Sequence, residues 1–130
     1  MKESNLKFSN PIIEKLDYKI NTDIQPENKL SISNSFSINV NKHPSQNEAI
    51  VALGISVGNE HNSEPFNVEM SILAKFVWDD AYDEKTINDL LTINAPSLLL
   101  GYARPIIATI TGMSPYPAYN IPFYNFTENA

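Results

Sequence analysis

The stretch from Asn94 to Phe126, NAPSLLLGYARPIIATITGMSPYPAYNIPFYNF, constrains the chain more than any other. Pro96 suits the first turn of a helix, where a missing N–H costs nothing, with Asn94 as the cap and Gly112 as the stop. Between them Leu99, Tyr102, Ala103, Ile106, Ile110 and Met113 follow the i, i+3, i+4 spacing of one helical face. Leu98 and Thr109 flank that face on one side and Leu100 and Ile107 on the other, so the apolar arc spans about 200°, twice the ~100° that a surface helix needs. Ser97, Arg104 and Thr111 are left as a thin polar strip. Pro105 removes a backbone bond and is expected to kink or split the helix near Gly101.

A helix this apolar has to be covered on two sides. With 130 residues the chain reads as a single domain, 1–130, able to place one sheet beneath the helix but with little material for a second layer. A second copy of the chain is the expected cover for the other flank, as a homodimer or homotetramer. Leu98, Leu99, Tyr102, Ile106, Ile107 and Ile110 are then the candidate contacts between subunits. Burial of the whole helix within a monomer is the alternative.

The sheet is legible upstream. Leu16, Tyr18 and Ile20 alternate with Asp17, Lys19 and Asn21, in a Leu6–Asn21 segment that Asn10 and Pro11 interrupt or place at a sheet edge. From Leu30 to Val40, Leu30, Ile32, Phe36, Ile38 and Val40 alternate with serines and Asn39. Val51, Leu53, Ile55 and Val57 share a face between Ala49 and Val57, as do Phe66, Val68, Met70, Ile72, Ala74, Phe76 and Trp78 between Phe66 and Trp78. Turn-rich connections favour antiparallel pairing. The expected fold is therefore α+β: a four-stranded antiparallel sheet, one face covered by a long, kinked C-terminal helix. Asp79 to Thr92 is an acidic connector with a short helix around Glu84 to Leu91.

Several chemistries find no support. Without cysteine there is no thiolate chemistry or disulfide framework. Gly54-Ile55-Ser56-Val57-Gly58 matches the G-x-S-x-G string of serine hydrolases, but this serine lies within a strand, not on a strand-to-helix turn. Asp79-Asp80-Ala81-Tyr82-Asp83 matches an aspartate-rich string that holds magnesium pyrophosphate, yet a second acidic cluster and a large helical cavity are missing. His43 and His61 sit in polar loops with no third ligand, so no metal, and no cofactor, is expected. A formal charge of −6 disfavours nucleic acid and anionic membrane. The N-terminus MKESNLKF lacks the apolar run of a signal peptide, which reads as a soluble, cytoplasmic chain without membrane insertion.

The last third carries an aromatic arm. Tyr116, Tyr119, Phe123, Tyr124 and Phe126 are interleaved with Pro115, Pro117 and Pro122, giving a stiff extended segment with large rings. It reads either as a strap laid across the core or as one wall of an apolar groove for a partner chain.

Ala95-Pro96-Ser97-Leu98-Leu99-Leu100-Gly101-Tyr102-Ala103-Arg104, a later glycine, a proline-rich stretch and Asn125-Phe126 resemble the C-P-x-x-L-F-P-Y-A-R helix and the G-x-P-P-L-N-L-x-P-V-N-F arm of the SecB protein-export chaperones. Phe66-Asn67-Val68-Glu69 is similar to the family's F-L-C-E strand. Here Ala95 replaces the cysteine, Gly101 the proline and Pro105 the acidic residue after the arginine, and four residues follow Phe126 where the family continues into a second helix. The resemblance implies a dimer of dimers assembled through the helix and ATP-independent binding of unfolded client chains, for export or for a dedicated client such as an antitoxin. It also implies that Glu69, with Asp17, lies on the sheet face used to dock the SecA motor. The residues assigned to the client groove are Phe76, Trp78, Tyr102, Tyr116, Tyr119, Phe123 and Tyr124. A small-ligand binder or enzyme with a pocket between helix and sheet, and an oligomeric adaptor for one folded partner, are the other readings.

Overall fold

The computed structural model describes residues 6–21, 32–58 and 64–129. Five strands form one antiparallel sheet: β1 (Lys7–Phe8), β2 (Ile12–Ile20), β3 (Asn34–Lys42), β4 (Glu48–Gly58) and β5 (Phe66–Val77). β1 and β2 both pair with β5, so they are two pieces of one edge strand broken at Asn10-Pro11, and the sheet has four lanes ordered β1/β2, β5, β4, β3. The count of four strands becomes five, and the proline interruption is its cause. Leu30 and His61 lie outside the described residues.

Alternation decides which face is buried. Ala49, Val51, Leu53, Ile55 and Val57 of β4 pair in register with Phe76, Ala74, Ile72, Met70 and Val68 of β5, and all ten are buried. On β2 the register shifts between Ile13 and Lys15, so Ile13, opposite Ile72, and Leu16, opposite Met70, both point inward although three positions separate them. A strict period of two would have sent one of them to water. Gly58 closes β4 at φ +80°, with its Cβ position 1.7 Å from the Phe66 carbonyl oxygen.

The inner face is covered by helix. α1 (Glu84–Asp89) runs through a π turn at Leu90–Asn94 into α2 (Ala95–Gly112). The short helix expected around Glu84 to Leu91 forms and runs on into α2, so the rod is capped by Asp83 and not by Asn94, which is itself helical and makes no capping bond. The wide π turn explains how Pro96 sits inside a continuous rod, since it relieves the clash of the ring with the turn below. Pro105 does not split α2, which stays helical to Gly112. The rod, 29 residues from Glu84 to Gly112 with a best window of mean hydropathy 1.2, is long and apolar enough to cross a membrane. In this fold its apolar stripe is a layer packed on the protein's own sheet, with Leu91, Ala95, Leu99, Ala103 and Ile107 fully buried.

Asp83 caps the rod, its Oδ1 accepting the Thr86 N–H at 2.7 Å. Bonds from the Thr86 side chain and backbone hold its carboxyl below the usual pKa. A carboxylate depressed in the folded state stabilises above its unfolded pKa and loses that contribution as pH falls through the folded value. Asp83→Asn keeps a capping oxygen, so it is expected to flatten that part of the acid limb while barely changing stability at neutral pH. Urea midpoints from pH 2 to 7 measure this.

Candidate functional site: an apolar furrow under an aromatic arm

The arm after Gly112 is fastened in its first half. Thr111, counted as part of a polar strip, is fully buried; its Oγ1 donates to the Ile107 carbonyl at 2.7 Å and accepts the Tyr119 N–H at 2.9 Å. Arg104 Nε donates to the Ile121 carbonyl at 2.9 Å. Asn34 Nδ2 donates to the Tyr119 hydroxyl at 2.5 Å, and the Tyr116 hydroxyl donates to the Asn21 carbonyl. Two side chains of α2 and one of β3 thus set the path of the arm across the open end of the helix–sheet sandwich.

Beyond Ile121 the arm turns toward β3. Tyr124 packs on Phe36 with the rings tilted by 45° and their centroids 4.4 Å apart, and Phe126 meets both rings edge-on at 6.0 and 4.9 Å. Two clefts open beside these rings. One, of about 540 Å³, is lined by Asn34, Ser35, Phe36, Ile38, Tyr124 and Phe126. The other, of about 490 Å³, is lined by Ile38, Val40, Asn88, Asp89, Thr92, Ile93, Phe126 and Thr127. Together they run along β3 as a furrow with an apolar floor and a polar rim.

The groove candidates divide on this geometry. Phe76 and Tyr116 are buried in the core and offer no free ring, a correction that follows from the inward register of β5 and from the Tyr116–Asn21 bond. Tyr119 is half-buried against Phe66 and held by Asn34. Trp78, one residue past the end of β5, is half-buried and lines neither cleft. Phe123 is 88% exposed and lines neither cleft, whereas Tyr124 forms a wall of the first. Phe36, Ile38 and Phe126 complete the furrow; the alternation of β3 marked the first two as inward, but nothing local showed that a cleft would remain between β3 and the helix.

Tyr102 belongs to a second apolar zone. α2 lies over β4 and β5 and leaves the inward side of β1/β2 bare, so Phe8, Ile13 and Leu16 remain exposed, as does Tyr102 on the helix, at 47%. Phe8 stacks on Phe76 at 6.0 Å and meets Tyr102 edge-on at 6.3 Å. Leu98, Ile106 and Ile110 border this band, half-buried. Leu99 and Ile107 do not: both are fully buried on the subunit's own sheet and are corrected from subunit contacts to core. Tyr18 also points inward here, and burial pushes its hydroxyl pKa up, with Ser114 acting in the opposite sense.

The outer sheet face carries the acidic candidates. Asp17 and Glu69 are direct cross-strand neighbours. Like charges so placed repel, and local groups offset this: Ser56 Oγ donates to Glu69 at 2.8 Å, and Lys15 Nζ lies 3.7 Å from Asp17. Ser56 thus sits in a strand holding a carboxylate, away from any hydrolase-type turn. Among the described residues no group of three or more His, Asp or Glu could hold a metal.

A four-lane antiparallel sheet, one long helix on its inner face and an aromatic arm walling an open furrow define an α+β class in which the helix layer is left partly bare. The model of the family described as preprotein translocase subunit SecB matches residues 5–128, and the chain belongs to the SecB family. Among solved structures it resembles the Mycobacterium tuberculosis Rv1957 SecB-like chaperone in complex with a ChAD peptide from the Rv1956 HigA1 antitoxin, with a TM-score of 0.74, 14% identity, and 92% of this chain and 91% of that chain covered. A Streptococcus agalactiae protein of unknown function aligns over 91% of this chain and 97% of its own at 10% identity, with a TM-score of 0.48. No curated protein matches the sequence.

Proposed function

We propose that this protein is an ATP-independent chaperone that holds non-native polypeptides in the furrow along β3. The observation that carries the reading is the pair of apolar-floored clefts beside Phe36 and Ile38, open to solvent on a chain of the SecB family. Apolar contacts of this kind need no fixed sequence, and extended segments fit a floor whose side chains recur every second residue. The antitoxin peptide bound to Rv1957 supports a client of this sort, whether general or dedicated. Self-association would use the bare band of Phe8, Ile13, Leu16 and Tyr102 with the adjoining helix flank, and several furrows on one oligomer would add avidity. Release would follow transfer or client folding, not hydrolysis. On the opposite face Asp17 and Glu69 would meet a basic partner surface, such as a motor.

Mixing the purified chain with a denatured model client while following light scattering and complex mass tests this. Ile38, 39% exposed and common to both clefts, is the discriminating position. Ile38→Asp places a charge on the furrow floor and is expected to weaken capture on the order of tenfold, about 1.4 kcal/mol. Glu69→Lys, on the other face, is expected to leave capture unchanged. Undiminished aggregation at molar excess of the unaltered protein defeats the proposal.

A further inference from the structure

We infer that Tyr124 and Phe126 form a displaceable stopper: the chain's own carboxyl-terminal segment occupies the furrow along β3, and a client enters by substituting two aromatic side chains, one residue apart, for them. This rests on the client-binding reading above.

Three observations carry it. Phe126 is only 4% exposed yet lines both clefts, so it stands as a partition in one furrow. The fastening of the arm also changes abruptly. Thr111, Arg104, Asn34 and the Tyr116 hydroxyl hold the path as far as Ile121. From Pro122 to Thr127 no hydrogen bond reaches the sheet or the helix among the described residues; the Asn125 side chain bonds Thr127, and the backbone turns locally into a 3-10 helix at Phe126–Asn129. Apolar packing holds the stopper in place, Tyr124 on Phe36 and Phe126 in the core cluster beside the turn at Leu90–Asn94, and such contacts are exchangeable for those of another chain because they are not directional. Finally, the floor repeats every second residue at Asn34, Phe36, Ile38 and Val40. That spacing suits rings at i and i+2 of an extended client; Tyr124 and Phe126 have the same separation in sequence, with Phe126 opening a 3-10 turn at Phe126–Asn129.

Lifting the partition would join the clefts into a channel running six steps of ~3.3 Å, about 20 Å, along β3. The fastened half of the arm would remain as a tether, holding the stopper at high local concentration so that it closes again when the client leaves. Capture is then weaker than the furrow's intrinsic affinity by the fraction of molecules that are open.

The test compares the full chain with its Tyr124→Ser/Phe126→Ser variant, using a labelled peptide of sequence NIPFYNFTE, which copies residues 120–128, and a denatured model client. Both probes are expected to bind the variant on the order of tenfold more tightly. Equal or weaker binding by a variant with an unchanged circular dichroism spectrum overturns the inference. Should the variant not fold, fluorine-labelled phenylalanine in the unaltered protein decides. Saturating client should move the Phe126 resonance toward the solvent-exposed position of Phe123, and a Phe126 resonance that stays buried with client bound overturns the inference. Capture by the unaltered chain without improvement in the variant defeats the stopper alone. Absence of capture by either defeats the chaperone reading as well.

Discussion

Replacing Leu99 with alanine lowers the free energy of unfolding by about 2–5 kcal/mol, the range for emptying a buried leucine site. Leu99 is fully buried on α2, in the layer shared with Leu91, Ala95, Ala103 and Ile107 above β4 and β5. A sheet and a helix already packed on each other collapse little around a missing side chain, so both the transfer and the cavity contributions are lost. Set against the 5–15 kcal/mol of an ordinary domain, this is a large share. The measurement also separates two readings of the helix. A core Leu99 lowers the denaturation midpoint equally at every protein concentration. A Leu99 shared between subunits would instead shift the concentration at which the oligomer dissociates. The first outcome is expected, and urea titrations over a hundredfold range of concentration show which holds.

The second large effect is at Gly58. Its φ of +80° is a region that residues with a side chain avoid, and an added Cβ would lie 1.7 Å from the Phe66 carbonyl oxygen and 2.8 Å from its carbon. Neither atom belongs to a flexible side chain. The Gly58 N–H also donates to the Ser33 carbonyl at 2.8 Å, and Gly58 pairs with Asn67, so the backbone cannot rotate away without breaking the end of two ladders. Strain of this type costs about 1–3 kcal/mol, and the steric clash adds to it. Gly58→Ala is therefore expected to destabilise more than Gly101→Ala, where nothing lies within 4 Å of the new methyl group and a helical glycine is replaced by the best helix former. Paired denaturation curves with equal m-values would confirm the ranking; equal midpoints would refute it.

The strands were the legible part. From Phe66 to Val77 a period of two is enforced by burial of one face, and the sequence pattern and the register coincide because an error of one residue would turn six core side chains to water. The helix was legible in extent at its carboxyl end but not in phase. The expected face ran through Leu99, Tyr102, Ala103, Ile106, Ile110 and Met113; the buried stripe keeps Leu99 and Ala103 but passes through Leu100, Ile107 and Thr111, leaving Tyr102 and Met113 exposed. Thr111 misled because a hydroxyl that bonds its own helix and the arm behaves as an interior group, which residue type does not reveal. The aromatic arm was visible as composition, yet its fastening depends on pairs 17 and 85 positions apart, Arg104 with Ile121 and Asn34 with Tyr119. Period and propensity do not report such pairs.

The five-residue π turn at Leu90–Asn94 also fixes the orientation of everything that follows it. Each residue advances an α-helix by about 100° around its axis, so gaining or losing one there would swing the downstream rod by roughly a quarter turn without touching a loop. Which flank lies against the strands, and which is offered outward, is then a matter of angular bookkeeping settled before Ala95 is reached.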